Sequence, residues 1–297
     1  MKKYLSKGNV IWGLVTILFI IMTATLFEEA SLTMPLIRAA EKVQSDKVAP
    51  ENNGKIVLVS GRIKADGYSA RDETFDIRVD APILRRNVDM YQWVKYYERN
   101  RNNQMEEHFR REWSDAEPIY HEDNPRSKPY QGRMFYSEVM LGEYKLSQEL
   151  AAKLAPHGSW TPVGGLSGGT AEKYGMVLTN DIYYIYHDIE NEYVEVGDTR
   201  IYFHALDISG VENITVLAKQ EGNMLTVHRV KDNLYPLGGI YAGIKGVEEV
   251  AGKEEGDYAY AKWVLAGFTV FFAFLTALFT WLNIGYARDA ERTKRRV

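Results

Sequence analysis

Residues 10–27 read VIWGLVTILFIIMTATLF, 18 positions without a charge, and near the other end residues 263–286 read WVLAGFTVFFAFLTALFTWLNIGY, 24 positions without one. About 20 apolar residues at ~1.5 Å rise each cross a ~30 Å hydrocarbon core, so both stretches read as transmembrane helices. Lys2, Lys3 and Lys7 precede the first, and Arg288, Arg292, Lys294, Arg295 and Arg296 follow the second. Lys and Arg accumulate on the cytoplasmic side. The expected organisation is a cytoplasmic tail at 1–9, a span at 10–27, an extracytoplasmic domain at 28–262, a span at 263–286 and a basic cytoplasmic tail at 287–297. The first span exceeds the ~7 to 15 apolar residues of a signal peptide, and Glu28-Glu29 stands where a small-residue cleavage site belongs; it reads as a retained anchor.

The formal charge of −4 divides into +3 in each tail and −10 between them. An acidic domain lacks the basic face that nucleic acid needs, and it does not suit docking flat on anionic lipid. With no cysteine, the domain holds itself together by its core alone. A cysteine-free extracytoplasmic domain fits a bacterial protein in the cytoplasmic membrane; a eukaryotic one would sit in an endomembrane.

Between the spans the chain reads as α+β and rich in strands. Leu32, Leu36, Ala40 and Val43 at helical spacing describe a short amphipathic stalk, with Pro35 tolerable only in a first turn. Ile56 to Val59 is a buried strand running into a turn at Ser60-Gly61. Val88 to Tyr97 alternates, with Tyr91, Trp93 and Tyr97 on one side, and Gln104 to Trp113 alternates after a polar turn. Period two predicts a long hairpin pairing Arg86–Tyr97 with Gln104–Trp113, its aromatic stripe facing a core. Met134 to Leu154 has apolar residues mostly at threes and fours, which predicts an amphipathic helix. The glycine-rich stretch 157–170 reads as a loop dividing a first β-rich part, 50–156, from a second, 171–245. Strands are expected at Ile182–Tyr186, Thr199–Leu206, Ile214–Gln220 and Met224–Arg229, the last two joined by Glu221-Gly222-Asn223. Val247 to Tyr260 reads as helical and leads into the second span.

No cofactor fingerprint and no catalytic motif is present, so no cofactor is expected. His121-Glu122-Asp123 and His187-Asp188 set imidazoles beside carboxylates, but neighbours on a strand point to opposite faces, and solvated loops account for both.

One segment carries a resemblance: Leu84-Arg85-Arg86-Asn87-Val88-Asp89-Met90-Tyr91-Gln92-Trp93-Val94. With Gly54 to Gly61, Glu112-Trp113, Asn124-Pro125, Tyr193 to Ile201 (which includes Gly197-Asp198) and Val216 to Leu225, it resembles the transmembrane protein 43 (LUMA) family. The resemblance implies a self-associating scaffold with a large domain in the lumen or outside the cell, in contact with the lipid bilayer and other membrane or envelope proteins; with no catalytic motif beside it, the chain reads as a non-enzyme. Family members in animals carry three spans after the domain, where this sequence has one. The resemblance brings no catalytic or metal-binding residues. It makes Arg85, Arg86, Met90, Tyr91, Gln92, Trp93, Glu112, Trp113, Gly197 and Asp198 candidates for structural or interface roles, and the two arginines precede a strand in a domain rich in carboxylates. The alternatives are a ligand-binding receptor or sensor, against which the short tails count, and a membrane-bound hydrolase. Two spans at opposite ends of a long domain are expected to bury little against each other in a single chain, and the second offers Ala266-Gly267, Ala273, Thr276-Ala277, Thr280 and Asn283 for helix contacts; Asn283 also suits the headgroup level, so the expected homo-oligomer rests mainly on the resemblance.

Overall fold

The computed structural model describes residues 7–64, 67–186, 193–229 and 236–294, with side chains from 10 to 285. In chain order it begins with α1 (Lys7–Arg38), β1 (Glu41–Gln44), β2 (Ile56–Gly61), β3 (Ala70–Asp72), β4 (Ile77–Val79), β5 (Ile83–Arg99) and β6 (Met105–Ser114). There follow β7 (Arg133–Tyr136), β8 (Met140–Leu141), β9 (Tyr144–Leu146), α2 (Gln148–Ala152), β10 (Ser159–Pro162), α3 (Gly168–Lys173), β11 (Val177–Thr179) and β12 (Ile182–Ile185). The chain closes with β13 (Thr199–Asp207), β14 (Ile214–Glu221), β15 (Met224–Thr226), β16 (Gly239–Ala242) and α4 (Val247–Lys294).

α1 and α4 are both long and apolar enough to cross a membrane. They pack side by side and antiparallel. Trp12 stacks on Phe272 and Phe279, and Phe19 on Phe268 and Phe272, at centroid distances of 5.1 to 6.2 Å. The Thr16 and Thr276 hydroxyls meet at 3.3 Å. Within the apolar stretches, Thr16, Thr23, Thr25, Thr269, Thr276 and Thr280 each donate their hydroxyl to the carbonyl four residues back, which satisfies each of these hydroxyls inside its own helix. The two spans therefore bury surface on each other within a single chain. Pro35 lies in the last turn of α1 rather than a first one; Ala39 N–H still bonds its carbonyl at 3.0 Å, and the helix ends three residues on. The stalk is thus a continuation of α1, and Val43 belongs to β1.

Among the described residues two seven-stranded sheets and a small antiparallel β3–β4 pair form the domain. The first runs β1-β2-β14-β15-β9-β8, with β16 also on β14, and an Ile63–Leu141 bridge brings β8 back to the chain just past β2. Ser60 and Gly61 continue β2 instead of turning. Val57, Val59, Val216 and Ala218 point to one core, while Ile56, Leu58 and Leu217 point to another on the opposite face. Burial on both faces is why these strands read as unbroken apolar runs. The second face is covered by the helix pair: Ile37 of α1, Ala40 just after it, and Val250 and Ala251 of α4 close over it. Tyr241 of β16, almost fully buried, donates its hydroxyl to Glu254 of α4 at 2.6 Å; burial and that carboxylate push its phenol well above the ordinary value.

The second sheet runs β11-β12-β13-β5-β6, with β10 on β13 and β7 on β5. The predicted hairpin is there, in register Tyr91–Trp113, Trp93–Arg111 and Lys95–Phe109. Its aromatic stripe is not core. β13 ends opposite Met90, so beyond Tyr91 the ribbon has no third strand among the described residues, and Trp93 and Trp113 are half-buried while Tyr97 is 58% exposed.

Two further expectations fail. Residues 134–154 form β7, β8, β9 and only five residues of helix. Gly142 sits at φ +60°, where a Cβ would lie 2.0 Å from the Ser45 carbonyl oxygen, so the chain reverses there and no helix passes through. The apolar residues do reach the core: Val139, Leu141, Leu146, Leu150 and Leu154 are all buried in it. The stretch 157–170 is not a divider either. It contains β10 and, with Ser167 accepting from Thr170 N–H as the cap, the start of α3. Each sheet takes strands from both sides of it.

Leu58→Ala, at the fully buried contact beneath the helix pair, is expected to cost about 2 to 5 kcal/mol. Leu14→Ala, on an exposed face of α1, should cost far less. Denaturant unfolding in detergent measures both, and equal losses would contradict this packing.

Candidate functional site

β5 organises the second sheet, and its residues alternate between two environments. Leu84 and Val88 face a core with Phe75, Ile201 and Phe203, and the Arg86 guanidinium lies over the Phe75 ring at its side. Arg85, Asn87 and Asp89 face the other way, opposite His204, Tyr202 and Arg200 of β13. On its remaining edge β5 pairs with β7 at 83–86 and with β6 at 90–99, which leaves Asn87 to Asp89 without a strand partner on that side. Lys128 fills the break. Its buried ammonium donates to the Val88 carbonyl at 3.0 Å and to the Asp115 carbonyl. Around it lies a groove of about 790 Å³ lined by Arg85, Asn87, Asp89, Trp113, Arg133 and Tyr202 among others.

The charges here are mostly paired. Arg86, 8% exposed, donates from Nη1 to Asp72 Oδ2 at 2.8 Å and from Nε to the Gln131 carbonyl at 3.0 Å, with its guanidinium over Phe75 and Phe135. Arg200 donates from Nε and Nη2 to Asp89 Oδ2, both at 2.8 Å, and stacks over Trp113. Arg85 lies 4.4 Å above the Trp160 ring, and its buried Nε has no hydrogen-bond partner among the described residues. Burial, with Asp89 next, raises the Tyr202 phenol; burial, with Arg85 next, lowers the His204 imidazole.

The ten candidate residues gather around this strand. Tyr91 pairs with Trp113 and Gln92 with Glu112. Tyr91 N–H donates to the Asp198 carbonyl and Gly197 N–H to the Tyr91 carbonyl, both at 2.8 Å. Gly197 at φ +105° makes a turn that side chains rarely adopt, and the Asp198 carboxylate accepts from Glu195 N–H at 2.8 Å. Met90 is fully buried, and Gln92 donates to the Ala116 carbonyl. Trp93 stacks on His121 at 5.0 Å, with Arg111 over its ring. Arg85 and Arg86, adjacent in sequence, do different things on opposite faces. Asp72 and Lys128, which hold the site together, carry no signal in the sequence. Asn124 does: its side chain accepts from Trp93 N–H and donates to the Trp93 carbonyl, acting as a one-residue strand where β13 has ended. Among the described residues no three His, Asp or Glu side chains gather as a metal site. His187-Asp188, Lys2, Lys3, Arg295 and Arg296 lie outside the described residues, as do the side chains of Lys7, Arg288, Arg292 and Lys294.

A match to the family described as transmembrane protein 43 covers residues 90–286, from the middle of β5 through the second apolar stretch. The chain belongs to the transmembrane protein 43 family. It is 26% identical to transmembrane protein 43 of Rattus norvegicus over 88% of this chain and 70% of that one. It is 27% identical to the Homo sapiens protein, over 82% and 63%, and 29% identical to the Drosophila melanogaster homolog, over 66% and 54%. No solved structure matches it. A membrane protein with two apolar helices and a mixed α and β domain is what the family and the fold agree on.

The family resemblance gathers at two joints of the fold. One is the groove strand with Asn124, Gly197 and Asp198. The other joins the ends of β2 and β14, where Gly54 N–H donates to the Gln220 carbonyl at 2.7 Å and Gly222 N–H to Asn53 Oδ1 at 2.8 Å.

Arg86→Ala leaves Asp72 charged, buried and unpaired, and is expected to cost about 3 to 5 kcal/mol. Replacing both partners with apolar residues should recover much of that; a loss under about 1 kcal/mol for Arg86→Ala would contradict the assignment. His204 titrates lower folded than its ordinary value of 6.5, so its contribution is present above 6.5 and is lost as pH falls through the folded value. The Asn87 amide, 3.0 Å from Nδ1, and the Arg85 cation both favour the neutral ring. The His204→Gln melting temperature should therefore decline less than wild type between about pH 7 and about pH 5.

Proposed function

We propose that this chain is a membrane-anchored, self-associating scaffold that holds its β-rich domain in a fixed pose on the extracytoplasmic side. The observation that carries the reading is the joint between helices and domain. Ile37, Val250 and Ala251 bury into the first sheet, and Arg38 pairs with Glu255 at 2.8 Å across the helix pair, so the two spans and the sheet form one body. A pose fixed against the bilayer suits presentation of a surface to partners. The charges of the groove are largely spent on each other, which suits structure and binding better than bond cleavage, and the reading is of a non-enzyme. The antiparallel packing of α1 and α4 supports both termini lying on one side, and the basic residues at both ends support the cytoplasmic side. The domain is then in the lumen or outside the cell, with the bilayer and other membrane proteins as its neighbours.

The absence of cysteine allows a direct test of the pose. Arg101→Cys, in the exposed turn of the β5–β6 ribbon, should react with a membrane-impermeant maleimide in intact cells or sealed right-side-out vesicles. Val297→Cys should react only after permeabilisation. The reverse pattern would overturn the topology. The mass of the solubilised particle, with what co-purifies, tests the scaffold: one 34.0 kDa chain with nothing bound would contradict it.

A further inference from the structure

The β5–β6 ribbon ends in a free edge. Among the described residues β6 pairs with β5 on one side and with no strand on the other. Along β5, the N–H and C=O of Tyr91 turn toward Asp198 and Gly197, and those of Trp93 toward Asn124, so the odd-numbered residues of β5 turn away from β6. Their partners across the ladder do likewise, because in an antiparallel pair the two residues of a non-hydrogen-bonded position both face outward. The main-chain groups of Trp113, Arg111, Phe109, Glu107 and Met105 therefore point off the open edge, and among the described residues no hydrogen bond meets them. The edge is ten residues long and contains no proline, no glycine and no bulge. Natural edges are blunted by short length, proline, bulges, covering elements or charge; of these the edge carries only charge, of both signs, and a two-stranded ribbon on its own is marginal in water.

The side chains along the edge are complementary to their own reverse. In the sequence Met105-Glu106-Glu107-His108-Phe109-Arg110-Arg111-Glu112-Trp113, an antiparallel copy centred on Phe109 sets Phe109 opposite Phe109. Glu107 then faces Arg111 twice and Met105 faces Trp113 twice, all on the same face of the ribbon. Opposite charges and apolar pairs directly across a ladder stabilise it. On the other face His108 meets Arg110, and Glu106 meets Glu112. That last like-charge contact is tempered within each chain, since Glu112 pairs with Arg110 at 2.8 Å and Glu106 accepts from Asn100 Nδ2 at 2.7 Å.

We infer that the edge of β6 is the surface through which this chain pairs with a second copy of itself, β6 antiparallel to β6 about a two-fold axis at Phe109. The inference rests on the self-association proposed above and names its surface. At the two-fold, the two Phe109 Cα atoms lie about 5.5 Å apart, within reach of a disulfide. Two Glu106 Cα atoms lie about 20 Å apart, because the register displaces them by six residues at ~3.4 Å each.

The test uses the full chain in native membranes, where each introduced cysteine is the only one. Phe109→Cys should give a covalent dimer on mild oxidation, and Glu106→Cys should not. Arg111→Glu, at an exposed position, should weaken association about tenfold, since two pairs become two repulsions; adding Glu107→Arg should restore it. Circular dichroism and melting confirm that each variant is folded. If the wild type is assembled, yet Phe109→Cys does not cross-link and Arg111→Glu leaves the mass unchanged, the edge is overturned while self-association stands. A monomeric wild type overturns both. An assembly made through a different protein's strand shows as no disulfide-linked homodimer of the Phe109→Cys variant and counts against the inference.

Discussion

Ile37 and Ala40, at and just past the end of the first apolar helix, and Val250 and Ala251, from the start of the second, close over Ile56, Leu58 and Leu217. This contact sets the rest of the architecture. It buries the second face of β2 and β14, which would otherwise expose a row of aliphatic side chains. It also fixes where α1 and α4 emerge, and so brings their aromatic residues into register along the apolar stretches. Between membrane helices there is little hydrophobic driving force, so packing and hydrogen bonds carry association there. Outside the hydrocarbon, water restores that driving force. The helix pair is thus held at one end by the domain and along its length by stacked rings and the Thr16–Thr276 contact.

That arrangement weakens one sequence argument for an oligomer. Two spans at opposite ends of a long domain look unpartnered on paper, yet here they partner each other, and Thr276, one of the small and polar residues in question, faces α1. The proposed self-association rests instead on the ribbon, where an edge with no strand partner among the described residues combines with one face whose charges match their own reverse.

How much is legible in the sequence follows from the range of each signal. The spans depend on run length, and the β5–β6 hairpin on period two across a short turn; both signals are local and both elements form. The segment around Val139 to Leu154 shows the right core residues but suggests the wrong period. Short strands, a left-handed glycine and one helical turn together mimic spacings of three and four, and only the Ser45 carbonyl against Gly142, a contact between distant segments, decides the matter. The exposure of Tyr97 is hidden for a similar reason: alternation reports two faces but not whether a second layer covers either. At the site, the family resemblance points to Arg85, Arg86 and the Gly197-Asp198 turn. It does not point to Asp72 or Lys128, because a buried counter-ion 14 residues away and a lysine bridging a break in a sheet leave no pattern in sequence. The resemblance marks places where strands are joined or terminated, at Gly54 with Gln220 and at Trp93 with Asn124.

The central claim is that the membrane helices and the first sheet move as one body. The absence of native cysteine permits a clean distance measurement between spin labels at two exposed positions, Glu51→Cys beside β2 and Tyr260→Cys on α4. Pulsed electron paramagnetic resonance on the protein in lipid nanodiscs should give one narrow distance, unchanged by Leu14→Ala and broadened by Leu58→Ala. A broad distribution in the unaltered background would show a domain hinged on its helices, and would contradict the claim.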